Sequence, residues 1–409
     1  MVYYNLKKYK EFFFIDFFAY LIPLSMIVGN LFININSLIC VFLFILLIFK
    51  DKKIYTSYKK YFAFLYILLI AIIINLIFSF DFKLSLVSSL GFIKYYLLFL
   101  SILFCLDNIP GFKRRFQSIM FFIILFVILD VLFQHFFLKD IFGNEIIEGH
   151  GRRLSGPFGD EGIAGSFIGK LFFLSLIVTY EVKNLNKLII PIIFLSIITI
   201  ILTNERSISI VFFSGVFILF LFYQFSLSKK IILMTTILLI LFALFNFNQN
   251  LKSHFIEVPL KYFKDNHHKA HFLTALEIYK HNKILGSGIK TFRQVCSDEK
   301  YENIKTSYAA NRCATHPHNL YLEILSETGI IGISIIFFLN LYILFFFIIY
   351  LFKKNESYKE ILVLFCAFFV LFWPLQTTGA FFSTWNGIFY WIFYALFFNL
   401  KSKLTFKSI

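Results

Sequence analysis

The chain is expected to be an all-α polytopic membrane protein of about twelve transmembrane helices with one large outer loop. Three observations carry this. Hydrophobic residues make up 59% of the 409 and charged residues only 15%, where a soluble domain is about a quarter charged. Mean hydropathy is +0.80. Apolar runs near twenty residues recur along the whole length, each long enough to cross about 30 Å of hydrocarbon. The runs are continuous and do not alternate, which excludes a β-barrel. The 61 Phe fit the codon bias of an AT-rich genome and carry no functional meaning.

In order, the expected spans are Phe12–Gly29, Leu31–Phe49, Tyr61–Phe80, Leu84–Leu106, Phe116–Leu138, Gly162–Tyr180, Leu188–Leu202, Ser207–Gln224, Ile231–Phe247, Leu320–Phe352, Ile361–Gln376 and Trp385–Leu400. The tenth is long and reads as a helix that starts outside the bilayer and enters near Gly329. The basic start, MVYYNLKKYK, reads as a retained signal anchor and not a cleavable leader.

The loops alternate in charge. One side holds Lys7, Lys8, Lys10, then Lys50, Lys52, Lys53, Lys59, Lys60, then Lys113, Arg114, Arg115, then Lys183, Lys187, Lys229, Lys230, Lys353, Lys354, Lys359, Lys401, Lys403 and Lys407, more than half of the 39 basic residues. The short loops opposite hold only Lys83, Lys139, Arg152, Arg153 and Arg206. Positive charge favours the cytoplasm, so both termini are placed there and Asn248–Pro317 faces outward. The net charge of +16 is thus a topology signal and not a nucleic-acid footprint. The chain divides into 1–247 (nine spans, with Arg-bearing outer loops 139–161 and 203–206), a loop domain 248–317, and 318–409 (three spans).

Polar groups at a membrane edge are costly and mark sites. The stretch His316–Gly332, HPHNLYLEILSETGIIG, closes the long loop and opens a span. His318 stands at the start of that helix, where an imidazole can serve as a general base. The helix N-terminus favours an anion, Asn319 can orient His318 or a substrate hydroxyl, and Glu323 and Glu327 read either as partners for His or Arg or as a solvated stripe. Outward arginines are not required by topology. Arg152 and Arg153, in GHGRRLSGPFGDEG, and Arg206, in TNERS, carry forks suited to phosphate. Each has a plainer reading as a solvated loop charge. Gly286 and Gly288 permit a tight turn in ILGSG, and Phe272–Lys280 has a helical pattern. Cys296 and Cys313, 17 positions apart in an oxidising compartment, are expected to pair, worth about 3 kcal/mol. His267, His268, His271, His316 and His318 match no zinc spacing, so no metal is expected. Arginines holding a departing diphosphate and a histidine deprotonating an acceptor hydroxyl describe glycosyl transfer.

The spacing H-N-x9-G-x-x-G, formed by His318, Asn319, Gly329 and Gly332, resembles the signature of the bacterial O-antigen ligase and O-antigen polymerase family. TNERS with Arg206, ILGSG and RLSGPFGDE with Arg153 are similar to further segments of that family, over roughly 151–352. The resemblance implies a metal-independent GT-C-like glycosyltransferase of the bacterial inner membrane, without cofactor and with a periplasmic site. Its donor would be an undecaprenyl-diphosphate-linked glycan. Its acceptor would be lipid A-core for a ligase, or a lipid-linked repeat unit for a polymerase, and a related branch glycosylates proteins. His318 would be the base, with Arg206 and Arg153 on the diphosphate. The chain departs from the family where an arginine precedes the loop helix: here DNHHKAHFLTALEIYK offers Lys269, His268 or His271. A lipid-linked glycan transporter is the competing class. It would place ionisable groups near the midplane, where Asp16, Lys94, Asp130 and Lys170 are the few candidates. A sensor would need a cytoplasmic output domain, and the cytoplasmic loops are all short.

Overall fold

A computed structural model describes residues 14–148, 152–178, 185–262, 264–353 and 356–407. The start of the chain with Lys7, Lys8 and Lys10, the end of the sixth expected span at Tyr180, Lys183 and Lys354 lie outside the described residues.

The long helices are α1 Phe14–Val28, α2 Asn30–Lys50, α3 Lys59–Ile77, α4 Phe82–Asn108, α5 Phe112–Phe137, α6 Ala164–Leu176, α7 Ile189–Leu202, α8 Arg206–Phe222, α9 Leu227–Phe247, α10 His267–His281, α11 Leu320–Lys353, α12 Tyr358–Phe372 and α13 Thr384–Lys407. Each of the twelve expected spans falls on one of these, and α10 covers the helical pattern read in the loop. Among the described residues there is no sheet, only two isolated bridges, Lys139 with Glu145 and Ile147 with Arg153. Among the described residues six helices (α2, α3, α4, α5, α9 and α11) are long and apolar enough to cross a membrane, while α1, α6, α7 and α8 are shorter apolar helices. Only Leu233 and Ile237 of α9 are buried. Its apolar flank, with Leu238, Leu239 and Phe242 exposed, would be untenable in water and suits lipid.

The helix starts follow local chemistry. Asp81 accepts from the Leu84 amide at 2.9 Å to cap α4, Ser226 caps α9, and Asn266 accepts from the Lys269 amide at 3.0 Å to cap α10. Gly29, at φ 126°, separates α1 from α2. Gly329, at φ 63°, breaks α11 near its start, at the point where the sequence suggested bilayer entry.

Packing groups the chain into two compact units that do not follow the expected division by chain order. The first comprises residues 1–113, 264–343 and 377–409; the second comprises 114–263 and 344–376. The loop 248–317 is therefore not one body: its first part belongs with the second unit and the rest with the first.

In the first unit α13 packs on α4 and α2, and α1 on α2. Trp391 sits among Phe92, Tyr96 and Phe99 with ring centroids 5.4–6.0 Å away, and Tyr394 donates to Asn340 at 3.0 Å. The loop part of this unit has its own small core of Ala275, Ile278, Phe292, Val295, Cys296 and Tyr301, with Leu322 of α11 against it. Cys296 and Cys313 form a disulfide with Cα atoms 5.3 Å apart, within bridging range.

In the second unit α6 lies against α7, α8 and α12, and α8 against α12. Gly215 of α8 allows the close approach: a Cβ there would stand 3.0 Å from both Phe173 and Val370. Gln117 of α5 donates to the Leu174 carbonyl at 3.0 Å.

Candidate functional site

In the first unit four imidazoles gather at the head of α11. The His318 ring centroid lies 4.2 Å from that of His316, 5.2 Å from His271 and 5.3 Å from His268. Two come from the first turns of α10, the N-terminal helix of the loop core, and two from the HPH sequence. His318 holds φ 58°, a left-handed conformation uncommon for a non-glycine residue and frequent at functional sites. It is fixed from both sides: its carbonyl accepts from the Thr378 amide at 2.9 Å, and His316 Nε2 lies 3.1 Å from the Thr378 carbonyl. Burial first, then His316, His268 and His271, push His318 down to about 3. Burial likewise takes His316 to about 4. Both rings are thus neutral at physiological pH. Among the described residues no group of three His, Cys, Asp or Glu side chains is arranged to hold a metal.

The neighbouring polar residues have structural partners that differ from several expectations. Asn319 Oδ1 accepts from the amides of Tyr321 and Leu322, both at 3.1 Å. It is the N-cap of α11, so two of the N–H groups expected to attract an anion are already satisfied. Glu323 is not a solvated stripe and pairs with neither His nor Arg. It is fully buried, with Oε2 accepting from the Phe381 amide at 2.8 Å, which fastens the 377–383 segment to α11. Glu327 is 1% exposed and accepts from the amides of Lys290 at 2.6 Å and Phe292 at 3.2 Å. Lys269 is turned to Asp265 at 3.5 Å and to the Lys264 carbonyl at 3.1 Å. It is therefore His268 and His271, and not Lys269, that stand beside His318.

The glycines position this assembly. Gly286, Gly288 and Gly329 have φ of 72°, 112° and 63°. Gly332 is helical, and a Cβ on it would meet Thr328 Oγ1 at 2.0 Å. An apolar cavity of about 50 Å³ opens beneath the turn, with Asn75, Ile324, Thr328, Gly332 and Phe381 in its wall.

In the second unit a separate polar cluster forms around the TNERS turn. Glu205 accepts from the amides of Gly165 at 2.6 Å and Ser166 at 3.1 Å, so the turn caps the start of α6. Gly165 is required there, because a Cβ would lie 2.4 Å from Thr203 Oγ1. Arg153 and Arg206 lie close enough for their charges to act on each other, and Arg153 acts on Glu205. Arg153 Nε is buried without a hydrogen-bond partner. Arg206 Nη1 reaches the His254 carbonyl at 3.5 Å, and His254 Nε2 lies 2.9 Å from the Asn204 carbonyl. Arg152, at φ 51°, is exposed and stands instead at a polar cavity of about 170 Å³ with His135, Asn204, Asn248 and Asn250. The two neighbouring arginines therefore serve different places. Among the described residues the expected site residues fall into two sets: His268, His271 and His318 in one unit, Arg153 and Arg206 in the other.

The sequence reading missed Lys290 and Arg293. Both lie just after the Gly-rich turn, and both act electrostatically on His316. Only their place two and five residues beyond Gly288 could have drawn attention to them.

No curated protein matches the chain. Residues 191–338 match the family model described as O-antigen ligase. That segment holds Arg206, the α10 histidines, the Gly-rich turn, His318, Asn319, Gly329 and Gly332, and leaves Arg152 and Arg153 outside. Residues 191–338 are thus similar to the O-antigen ligase family, in a chain whose apolar helices point to an integral membrane protein.

Proposed function

We propose that this protein transfers a glycan from an undecaprenyl-diphosphate-linked donor to an acceptor hydroxyl at the periplasmic face of the inner membrane, without a metal, and that the acceptor is lipid A-core. His318 takes the proton from the acceptor hydroxyl. The oxygen then attacks the anomeric carbon, the bond from that carbon to the diphosphate oxygen breaks, and the diphosphate leaves on its lipid carrier. Arg206 and Arg153 offset the charge on the leaving group.

The observation that carries the reading is His318 itself: a neutral imidazole, strained at φ 58° and ringed by three others, at the head of the helix that bears the family spacing. A neutral ring can accept a proton. Its depressed pKa makes it a weak base until an anion stands nearby, and the charges of a bound diphosphate raise it towards the useful range. The base is thereby switched on by its own donor.

The test is the lipopolysaccharide profile of a strain lacking this gene, complemented with the wild type or with His318→Ala. Bare lipid A-core, with polymerised glycan retained on undecaprenyl diphosphate, supports ligation, and His318→Ala should reproduce it with the protein still in the membrane. Core capped by a single repeat unit would point to the polymerase. An unchanged profile refutes both and turns to protein glycosylation or to a transporter.

A further inference from the structure

We infer that Lys290 and Arg293 form an anion subsite beside the histidine cluster that takes a phosphate of the lipid-linked donor's diphosphate. The inference rests on the glycosyltransferase reading for the identity of the ligand, but not for the existence of the subsite.

Lys290 occupies φ 66°, in the left-handed region where glycine or asparagine sits with little strain and a long side chain does not. The strained backbone is held in place. Its amide donates to buried Glu327 Oε2 at 2.6 Å, and two residues on Phe292 donates to the other oxygen at 3.2 Å. A residue kept in a costly conformation by a buried carboxylate calls for a use of its side chain.

That side chain is half-buried. Among the described residues no carboxylate lies within 4 Å of the Lys290 ammonium or the Arg293 guanidinium, although Lys139, Lys269, Lys280 and Lys300 each have one. Glu327 spends its two oxygens on backbone amides, and it and Glu323 act on the Lys290 ammonium only from beyond ion-pair distance. Burial, then Arg293, lowers the Lys290 ammonium below the usual lysine range, and the opposing pull of Glu323 and Glu327 does not restore it. Arg293, exposed three residues on, adds a fork of the kind that grips phosphate oxygens. Both charges reach His316, whose ring abuts His318. An anion seated between them would neutralise two cations and sit where it raises the basicity of the neighbouring imidazoles. The subsite thus supplies the cationic contact that Lys269, turned to Asp265, does not.

The same chemistry would hold an anionic phospholipid headgroup, and the experiment separates the two. Full-length protein in neutral detergent is titrated with inorganic pyrophosphate by calorimetry. Lys290→Gly removes the charge and relieves the backbone, so a folding defect is not expected. It should weaken the Kd about tenfold or more, the loss of one charge-assisted contact, with the thermal midpoint at or above wild type. Arg293→Gln should weaken it similarly, while Lys280→Gln, whose ammonium is paired with Glu277, should leave it unchanged. A pyrophosphate Kd indifferent to both Lys290→Gly and Arg293→Gln overturns the subsite. Displacement of pyrophosphate by added phosphatidylglycerol, at equal phosphate concentration, overturns its assignment to the donor. Glycan transfer is followed on the same samples. Lys290-dependent pyrophosphate binding in a wild type that transfers no glycan would sink the glycosyltransferase reading and leave the subsite standing.

Discussion

The Glu327 carboxylate should hold the Gly-rich turn against α11, and Glu327→Gln tests this with almost no change in shape. One amide oxygen can still accept from Lys290 or Phe292. The other N–H then faces an NH2 group and loses its acceptor. Burial, then Glu323, pushes the Glu327 carboxyl well above the usual carboxylate range, so no ionic contribution is counted, and the unsatisfied buried N–H alone costs about 1–3 kcal/mol. With the 1% exposure of Glu327 no water replaces the lost partner, so a local destabilisation of about 2 kcal/mol or more follows. Opening of the turn would expose the peptide bond after Lys290 to trypsin. When opening is fast relative to cleavage, the rate tracks the open population, and 2 kcal/mol corresponds to about a 30-fold increase. The assay is limited trypsinolysis of the detergent-solubilised protein, with the 290–291 cut followed by mass spectrometry. A rate within about twofold of wild type would refute the reasoning and mean that the Glu327 carboxyl group is not what holds the turn.

Three further outcomes are expected. Gly288→Ala should prevent accumulation of folded protein, because the new Cβ at φ 112° would lie 2.0 Å from Ser79 Oγ; a monodisperse size-exclusion peak in detergent would count against this. Arg206→Lys keeps the charge and loses the fork, so glycan transfer should drop about a hundredfold with membrane abundance unchanged; near-normal transfer would assign Arg206 to structure. Acidification should destabilise the protein through His316 and His318. Their folded pKa values of about 4 and about 3 lie below the usual 6.5, so the unfolded chain binds more protons between those limits, and the stability they confer is full above about pH 6.5 and is lost as pH falls towards 4. The fully buried limit is about 2 kcal/mol each at pH 5, and partial exposure reduces it to about 1 kcal/mol each. The groups facing these rings are His268, His271, Lys290 and Arg293, none of which offsets the added charge. Glu323, raised to about 7 by burial, gains stability over the same interval, so the check is against His316→Phe: its midpoint should fall less than that of the wild type from pH 7 to pH 5, and equal falls would contradict the burial of the cluster.

What could be read in advance was governed by local chemistry. Long apolar runs gave the helices because a continuous run of that length has one stable form in lipid, and the match survives even at α11, where Gly329 was read as the point of change. The Asp265–Lys269 pair, four residues apart, and the capping role of Asn319, immediately before an apolar helical run, were equally legible from spacing. Both compete with the functional roles that the same residues suggest. The fates of Glu323 and Glu327 were not legible. Their partners, Phe381 and Lys290 with Phe292, stand tens of residues away, and nothing in SETGIIG says which distant amides will arrive there. The left-handed conformation of Lys290 is illegible for the same reason, since it is imposed by Glu327 and not by its own neighbours.

The two motifs that the sequence presents separately, ILGSG and H-N-x9-G-x-x-G, turn out to be one contact. A Cβ on Gly286 would lie 2.3 Å from the Glu327 carbonyl carbon and 2.4 Å from the Thr328 nitrogen, and a Cβ on Gly329 would lie 2.3 Å from the Ile284 oxygen and 2.6 Å from the Leu285 nitrogen. Each glycine is the space its counterpart's backbone occupies. The backbones then bond directly: Ser287 N to Ser326 O and Gly288 N to Glu327 O at 2.9 Å, and Ile330 N to Lys283 O at 2.8 Å. Asn75 of α3 ties both strands of this contact, donating to Leu285 O at 2.6 Å and Glu327 O at 2.9 Å. A side-chain interface would tolerate repacking, whereas backbone against backbone at this distance has a single register. That register fixes where α11 begins relative to α10, and hence that His318 meets His268 and His271. The glycine spacing therefore encodes the position of an imidazole that stands eleven residues upstream of Gly329, which is why a motif with only one titratable residue in it can specify a site.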